Sequence, residues 1–216
     1  MTVYLLHKEP LFPPVEEAEP DGLIAIGGDL SVERIICAYS QGIFPWFMEE
    51  GIVYWYSPDP RMVLFPEKFH KSESLNRILK SGKFSVRIDT GFEDVIRACA
   101  STKRTNEDGG WINESFTEAY HELYRRGLAH SVETYYRNEL VGGLYGVSLG
   151  AAFFGESMFF RMPNASKVAF AALVEFCLQH GLTFIDCQVE TSHLRSLGAS
   201  TVSRTEYLKL LEKALT

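Results

Sequence analysis

Leu140 to Lys167 reads LVGGLYGVSLGAAFFGESMFFRMPNASK. LVGGLYGVSLG and AAFFGESMFF have the short, apolar, glycine-punctuated character of strands. RMPNASK then closes the pair, and Asn164 stands at the N-cap of a helix. Glu156 lies between Gly155 and Ser157, among Phe153, Phe154, Met158 and Phe159. A core strand has no use for an acid there, because an unpaired buried charge is very costly. Glu156 is therefore paired, hydrogen-bonded or functional, and the apolar residues beside it suit the wall of a pocket.

Working outward, HSVETYYR precedes this stretch, and a tight turn at Asn138–Glu139 makes it a hairpin partner of LVGGLYGVSLG. Downstream, the helix from Ala165 to His180 is apolar almost all round, which predicts burial, and Gly181 ends it. TFIDCQV is a further strand and TEYLKLLEKAL a last helix. Upstream, Asn113 caps a helix with Phe116, Ala119, Tyr120 and Leu123 at helical spacing, stopped by Gly127. Strands, a long buried helix, then a strand is the order of the acetyltransferase-like fold. That fold holds coenzyme A on a Gly-rich loop at the start of its central helix. RMPNASK has no such loop, so the order is kept without the coenzyme element.

The first sixty residues read as a separate small unit. FPPVEEAEP is Pro-rich and acidic, which predicts an extended segment. GLIAIGGDLS gives a short strand, a glycine turn and a helix start, with Ser31 or Asp29 as cap. VERIICAYSQ is helical up to Gly42. SPDPR, residues 57–61, is turn-rich and marks the junction. The expected architecture is α/β (α+β), with a small N-terminal domain over 1–60. An acetyltransferase-like domain with a central mixed sheet follows over 61–216.

A chain of 216 residues with 46% hydrophobic and 23% charged content has the makeup of an ordinary globular protein. Its longest apolar run, Val168 to Val174, is too short to span a bilayer. The N-terminus lacks a basic region followed by a long apolar one, so no secretory signal is expected. Cys37, Cys99, Cys177 and Cys187 have no paired spacing and read as reduced thiols of a cytoplasmic protein. No His/Cys cluster suggests a metal.

The net charge is −7, which argues against a nucleic-acid partner until its distribution is read. From Arg61 to Arg87 seven Lys/Arg face two acids, Glu67 and Glu73, so this segment carries +5 and the remainder −12. A local patch of this kind holds phosphates or is simply a solvated face, and charge alone leaves both open. In TFIDCQV, alternation places Phe184, Asp186 and Gln188 on one face. Asp186 is able to accept a proton or hydrogen bond, and Gln188 offers a donor and an acceptor to a tetrahedral centre. A structural polar network explains the same pair. Trp46 and Trp111 sit beside turns, where a ring either stacks on a base or fills the core. Tyr120 shares that ambiguity. No nucleophile motif supports covalent catalysis.

GLIAIGGDLS…AYSQGIFPWF, YWYSPDPR, WINESFTEAYHELYRRGLAHSVE, LVGGLYGV, FFGESMFFRMPNASK and FIDCQVETSHLRSLGA together resemble the leucyl/phenylalanyl-tRNA–protein transferase family. The resemblance runs over nearly the whole chain. Phe116 and Phe160 depart from residues common in that family, away from the proposed catalytic positions. The resemblance implies transfer of Leu or Phe from aminoacyl-tRNA to the α-amine of proteins that begin with Arg or Lys, a degradation mark in bacteria. It implies no cofactor, because the tRNA ester is already activated. Asp186 would orient or deprotonate the attacking amine, Gln188 would hold the tetrahedral centre or relay the proton, and Glu156 would bind the α-amino group of the transferred residue. Leu144, Phe153, Met158 and Ile185 would line the side-chain pocket, Trp46 and Trp111 would hold the terminal adenosine, and Ser157 and Tyr120 would complete the substrate-binding residues. Lys68, Lys71, Arg77, Lys80 and Lys83 would track the acceptor stem. Two alternatives remain at this stage: a coenzyme-A-dependent N-acyltransferase on the same fold, and a non-catalytic RNA-binding module.

Overall fold

A computed structural model describes residues 3–102 and 113–216. The chain begins with β1 (Tyr4–Leu6), β2 (Leu23–Gly27), α1 (Val32–Ser40), β3 (Phe44–Glu49) and β4 (Ile52–Tyr56). These strands form one sheet in the order β1-β2-β4-β3, with β1 parallel to β2 and the other pairs antiparallel. Val32, Ile35, Ala38 and Tyr39 are the buried face of α1. Asp29 accepts the Ser31 N–H at 2.9 Å just ahead of the helix, and Gly42 (φ 76°) carries the chain out of it. FPPVEEAEP is not wholly extended: Val15–Glu17 forms a 3₁₀ turn.

The second sheet is built from β5 (Arg61–Leu64), β6 (Ser85–Ile88), β7 (Ala129–Tyr136), β8 (Glu139–Leu149), β9 (Ala152–Phe160), β10 (Phe184–Gln188) and β11 (Ser200–Val202). Its order is β11-β5-β10-β9-β8-β7-β6. Among the described residues of this sheet only β9 and β10 pair in parallel, and the crossover between them is α5 (Ala165–His180). This is the strands–helix–strand order expected for an acetyltransferase-like mixed sheet. The other helices are α2 (Glu73–Lys80), α3 (Phe92–Ser101), α4 (Glu114–Arg125), α6 (Ser192–Ser196) and α7 (Arg204–Leu215). α5 covers one sheet face through Phe170, Leu173, Val174 and Cys177, which pack on Val132, Leu144, Phe153 and Ile185. α3, α4 and α7 cover the other face, and α1 packs against α4 and α7 there. Among the described residues, no helix is long and apolar enough to cross a membrane.

Two expectations need local correction. The β7–β8 turn is one residue earlier than Asn138–Glu139. Arg137 (φ 50°) and Asn138 (φ 66°) both take the positive φ that a tight hairpin turn of this hand needs, and Glu139 already pairs with Tyr136. Asn164 does precede α5, but it is left-handed (φ 72°) and its side chain makes no cap bond. Its carbonyl accepts the Val168 N–H instead.

Candidate active site

A cavity of about 480 Å³ opens between β9, β10, α5 and the β3 segment. Three of its residues are placed by β-bulges. On β9, Gly155 pairs with Gly146 and Ser157 with Tyr145, so Glu156 is the extra residue. On β10, Asp186 pairs with Val63 and Gln188 with Met62, so Cys187 is the extra residue. On β3, Pro45 pairs with Trp55 and Phe47 with Tyr54, which leaves Trp46 over. A bulge bends its strand and re-aims a side chain. The strict alternation expected through Phe184, Asp186 and Gln188 therefore ends at Asp186. Gln188 adopts φ 60°, which swings its amide to Glu156. Gly146 makes the β9 bulge sterically feasible: a Cβ there would stand 2.2 Å from the Phe154 carbonyl oxygen and 2.5 Å from the Phe153 ring.

Glu156 is 8% exposed and is held by three donors. The Tyr39 and Tyr120 hydroxyls each approach one of its oxygens at 2.6 Å, and Gln188 Nε2 donates to it at 3.0 Å. Burial raises the carboxyl to about 7. The two tyrosine bonds oppose that rise, Asp186 adds to it and Arg61 opposes it. Burial, together with Glu156, also raises both tyrosines.

Asp186 is fully buried and fully engaged. Arg61 Nε and Nη2 donate to its two oxygens at 2.9 and 2.7 Å. The Tyr207 hydroxyl adds a bond at 2.7 Å and the Gln188 N–H one at 2.9 Å. Arg61 lies between the Phe44 and Tyr207 rings and donates to the Gly42 carbonyl at 3.2 Å. Burial works against the Arg61 charge, but Asp186 outweighs it and raises the guanidinium above its ordinary value.

Leu144, Ser157, Met158 and Ile185 line the cavity, as the sequence suggests. Phe153 lies in the apolar cluster behind this lining. Tyr120 is buried beneath the site and holds Glu156. Trp46 is half-buried at the cavity, edge-on to Tyr56 at 4.7 Å. Trp111 is outside the described residues. Sequence reasoning missed Phe170 and Leu173, which reach the cavity from the buried helix, and also Tyr39, Arg61 and Tyr207. Helical spacing marks Tyr39 as inward-facing, but nothing local marks its partner 117 positions away.

Lys68, Lys71, Arg77, Lys80 and Lys83 are exposed, on α2 and its flanks, beside α5. Rings brace several of them: Lys68 over Phe65 at 5.0 Å, and Lys83 over Phe84 at 5.1 Å. Arg61 does not belong to this surface. It is 1% exposed and neutralised by Asp186, so the outward-facing charge of the segment is smaller than the count along the chain.

The apolar cavity and its buried acid–amide pair, set where parallel β9 and β10 meet, make a candidate acyl-transfer site. Residues 63–212 match the family model described as leucyl/phenylalanyl-tRNA protein transferase, and residues 28–59 match the model of that family's N-terminal domain. The chain is 53% identical to the leucyl/phenylalanyl-tRNA–protein transferase of Syntrophobacter fumaroxidans, over 98% of this chain and 90% of that one. It is 50% identical to the same transferase of Desulfatibacillum aliphaticivorans, over 100% and 92%. Solved structures are more distant: L-PGS from Bacillus licheniformis aligns with TM-score 0.44 at 9% identity, covering 78% of this chain and 54% of that one. The chain belongs to the leucyl/phenylalanyl-tRNA–protein transferase family, and it is an aminoacyltransferase.

Proposed function

We propose that this enzyme, in the cytoplasm, moves Leu or Phe from the 3′ end of aminoacyl-tRNA to the α-amine of proteins that begin with Arg or Lys. The new terminal residue marks those proteins for degradation. The observation that carries the reading is the cavity itself: Leu144, Met158, Phe170, Leu173 and Ile185 give an apolar lining beside the Glu156–Gln188 pair. An apolar side chain fits the first part, and an ester meeting an amine fits the second.

Aminolysis of an activated ester needs orientation more than a strong nucleophile, and orientation supplies about 7–11 kcal/mol. Gln188 gives one amide hydrogen to Glu156 and keeps a second hydrogen and its carbonyl oxygen for the tetrahedral centre. Of the two roles open to Asp186, orientation and deprotonation, its partners support orientation. Arg61 and Tyr207 hold its carboxylate with three hydrogen bonds, and a fourth, from the Gln188 N–H, fixes the Gln188 backbone. Glu156 stands where it meets the amines of donor and acceptor. Trp46, with Trp111, stacks on the terminal adenosine, and the exposed lysines of residues 68–83 track the acceptor stem.

The test is a mass assay on a peptide with N-terminal Arg. Phe-tRNA should add one phenylalanyl residue and acetyl-CoA should add nothing. An acetyl mass shift would install the coenzyme-dependent acyltransferase in its place, and no shift from either donor would favour an RNA-binding module.

A further inference from the structure

The geometry points to a proton store made of Glu156, Tyr39 and Tyr120, in which the Glu156 carboxyl takes up the proton that the attacking amine must shed. This inference rests on the aminoacyl-transfer reading above.

Three oxygen groups meet in a closed triangle. Tyr39 Oη lies 2.6 Å from Glu156 Oε1, Tyr120 Oη lies 2.6 Å from Glu156 Oε2, and the two hydroxyl oxygens are 2.7 Å apart. Oxygens at that separation attract only if a hydrogen lies between them. The hydroxyls bring two hydrogens. An ionised carboxylate brings none, so one of the three contacts is left with lone pairs facing each other. A protonated carboxyl supplies the third hydrogen, and the bonds then run round the ring in either sense. Gln188 Nε2 donates to Oε1 in both states.

The groups that face this carboxyl agree with the count. Tyr39 comes from α1, Tyr120 from α4, Asp186 and Gln188 from β10 and Arg61 from β5. The Tyr145 ring of β8 stands edge-on to Tyr120 at 5.5 Å. Arg61 is paired with Asp186, and among the described residues no cation forms an ion pair with Glu156. Burial then keeps the carboxyl near neutrality rather than in the ordinary acid range. A group that titrates close to the working pH is suited to proton transfer.

The acceptor ammonium gives one proton to the Glu156 carboxylate, closing the ring, and becomes a neutral amine. Its lone pair forms the N–C bond to the ester carbonyl carbon while the π pair moves to oxygen. On collapse the C–O3′ bond breaks, and the second proton on nitrogen goes to O3′. Glu156 returns the first proton to solvent. The products are an amide, a free 3′-hydroxyl and one proton. Tyr39 and Tyr120 are positioning residues, and Tyr39 reaches the site from the smaller sheet's helix.

The infrared C=O stretch of a carboxylic acid, followed on the full-length enzyme from about pH 9 to about pH 5, reads the store without substrate. The expected result is a band that grows as pH falls, with its midpoint near 7, and that Glu156→Gln removes. Glu156→Gln should also lower kcat about a hundredfold at saturating aminoacyl-tRNA, a usual share for a general base. Tyr39→Phe and Tyr120→Phe should each displace the midpoint and lower kcat, which a merely structural hydroxyl would not do. These two variants stand as the test if Glu156→Gln fails to fold. An active enzyme with no such band, or an unmoved midpoint in both tyrosine variants, overturns the store. A wild-type enzyme that transfers nothing overturns the transfer reading instead, and the band still decides the ring.

Discussion

Ionised Glu156 destabilises the fold. Its carboxyl is raised to about 7 in the folded chain from an ordinary 4.5. Between those values the folded state binds more protons than the unfolded one, so stability falls as pH rises through the window. The group is neutral in both states below about 4.5 and carries its full burial penalty above about 7, roughly 3 kcal/mol. Glu156→Gln should therefore gain stability over wild type at pH near 8, and the gain should fade toward pH near 4.5. Urea unfolding at both pH values checks this, and a gain independent of pH would contradict it. Asp186 behaves differently. It is paired with Arg61 in full burial, and removing one partner strands the other charge. Asp186→Ala and Arg61→Ala should each cost roughly 3–5 kcal/mol. The double variant should lose less than the sum, because either change already breaks the same pair. Additive losses in a double-mutant cycle would show that the two do not act as one unit.

At the level of elements, the main architecture was legible because each piece has a local signature. α5 is apolar around its whole circumference, and β7 and β8 meet at a turn rich in polar residues. The bulges were not legible. Each is defined by a pairing across strands, such as Gly146 with Gly155, and a single strand read alone shows only alternation. The short edge strands β1, β6 and β11 were missed for a similar reason: three or four residues carry too little pattern to tell strand from loop. The basic element was legible as a charge run, but not as a surface, because burial removes Arg61 from it. What remains gives a prediction for α2 and its flanks. Lys71→Ala with Lys80→Ala should weaken tRNA binding and flatten the plot of log affinity against log salt by about 1–2, since each phosphate contact releases counterions. Turnover at saturating tRNA should hold, because neither lysine lines the cavity. A salt slope unchanged from wild type would make this face an ordinary solvated one.

At the scale of the whole molecule, the site is assembled from both sheets. Tyr39, the Gly42 carbonyl and Trp46 come from the smaller unit, and the bulged strands β9 and β10 come from the larger one. Arg61, five residues beyond Tyr56 at the end of β4, joins the Gly42 carbonyl to Asp186 and so couples the units at β10. None of these contacts leaves a mark in local sequence, because their partners lie 19, 117 and 125 positions apart. Motif resemblance reached the function, whereas only the assembled molecule shows that Asp186 anchors and Glu156 is held by two tyrosines. The proposed reaction makes one bond: an amide between a transferred Leu or Phe and an N-terminal α-amine. Tandem mass spectrometry locates that bond, on a peptide that begins with Arg and carries an internal Lys, after incubation with enzyme and Phe-tRNA. The expected product carries one phenylalanyl residue on the α-amine of the terminal Arg and none on the lysine side chain. A phenylalanyl residue on the lysine side chain, or an unmodified peptide in the presence of folded enzyme and charged tRNA, would contradict it.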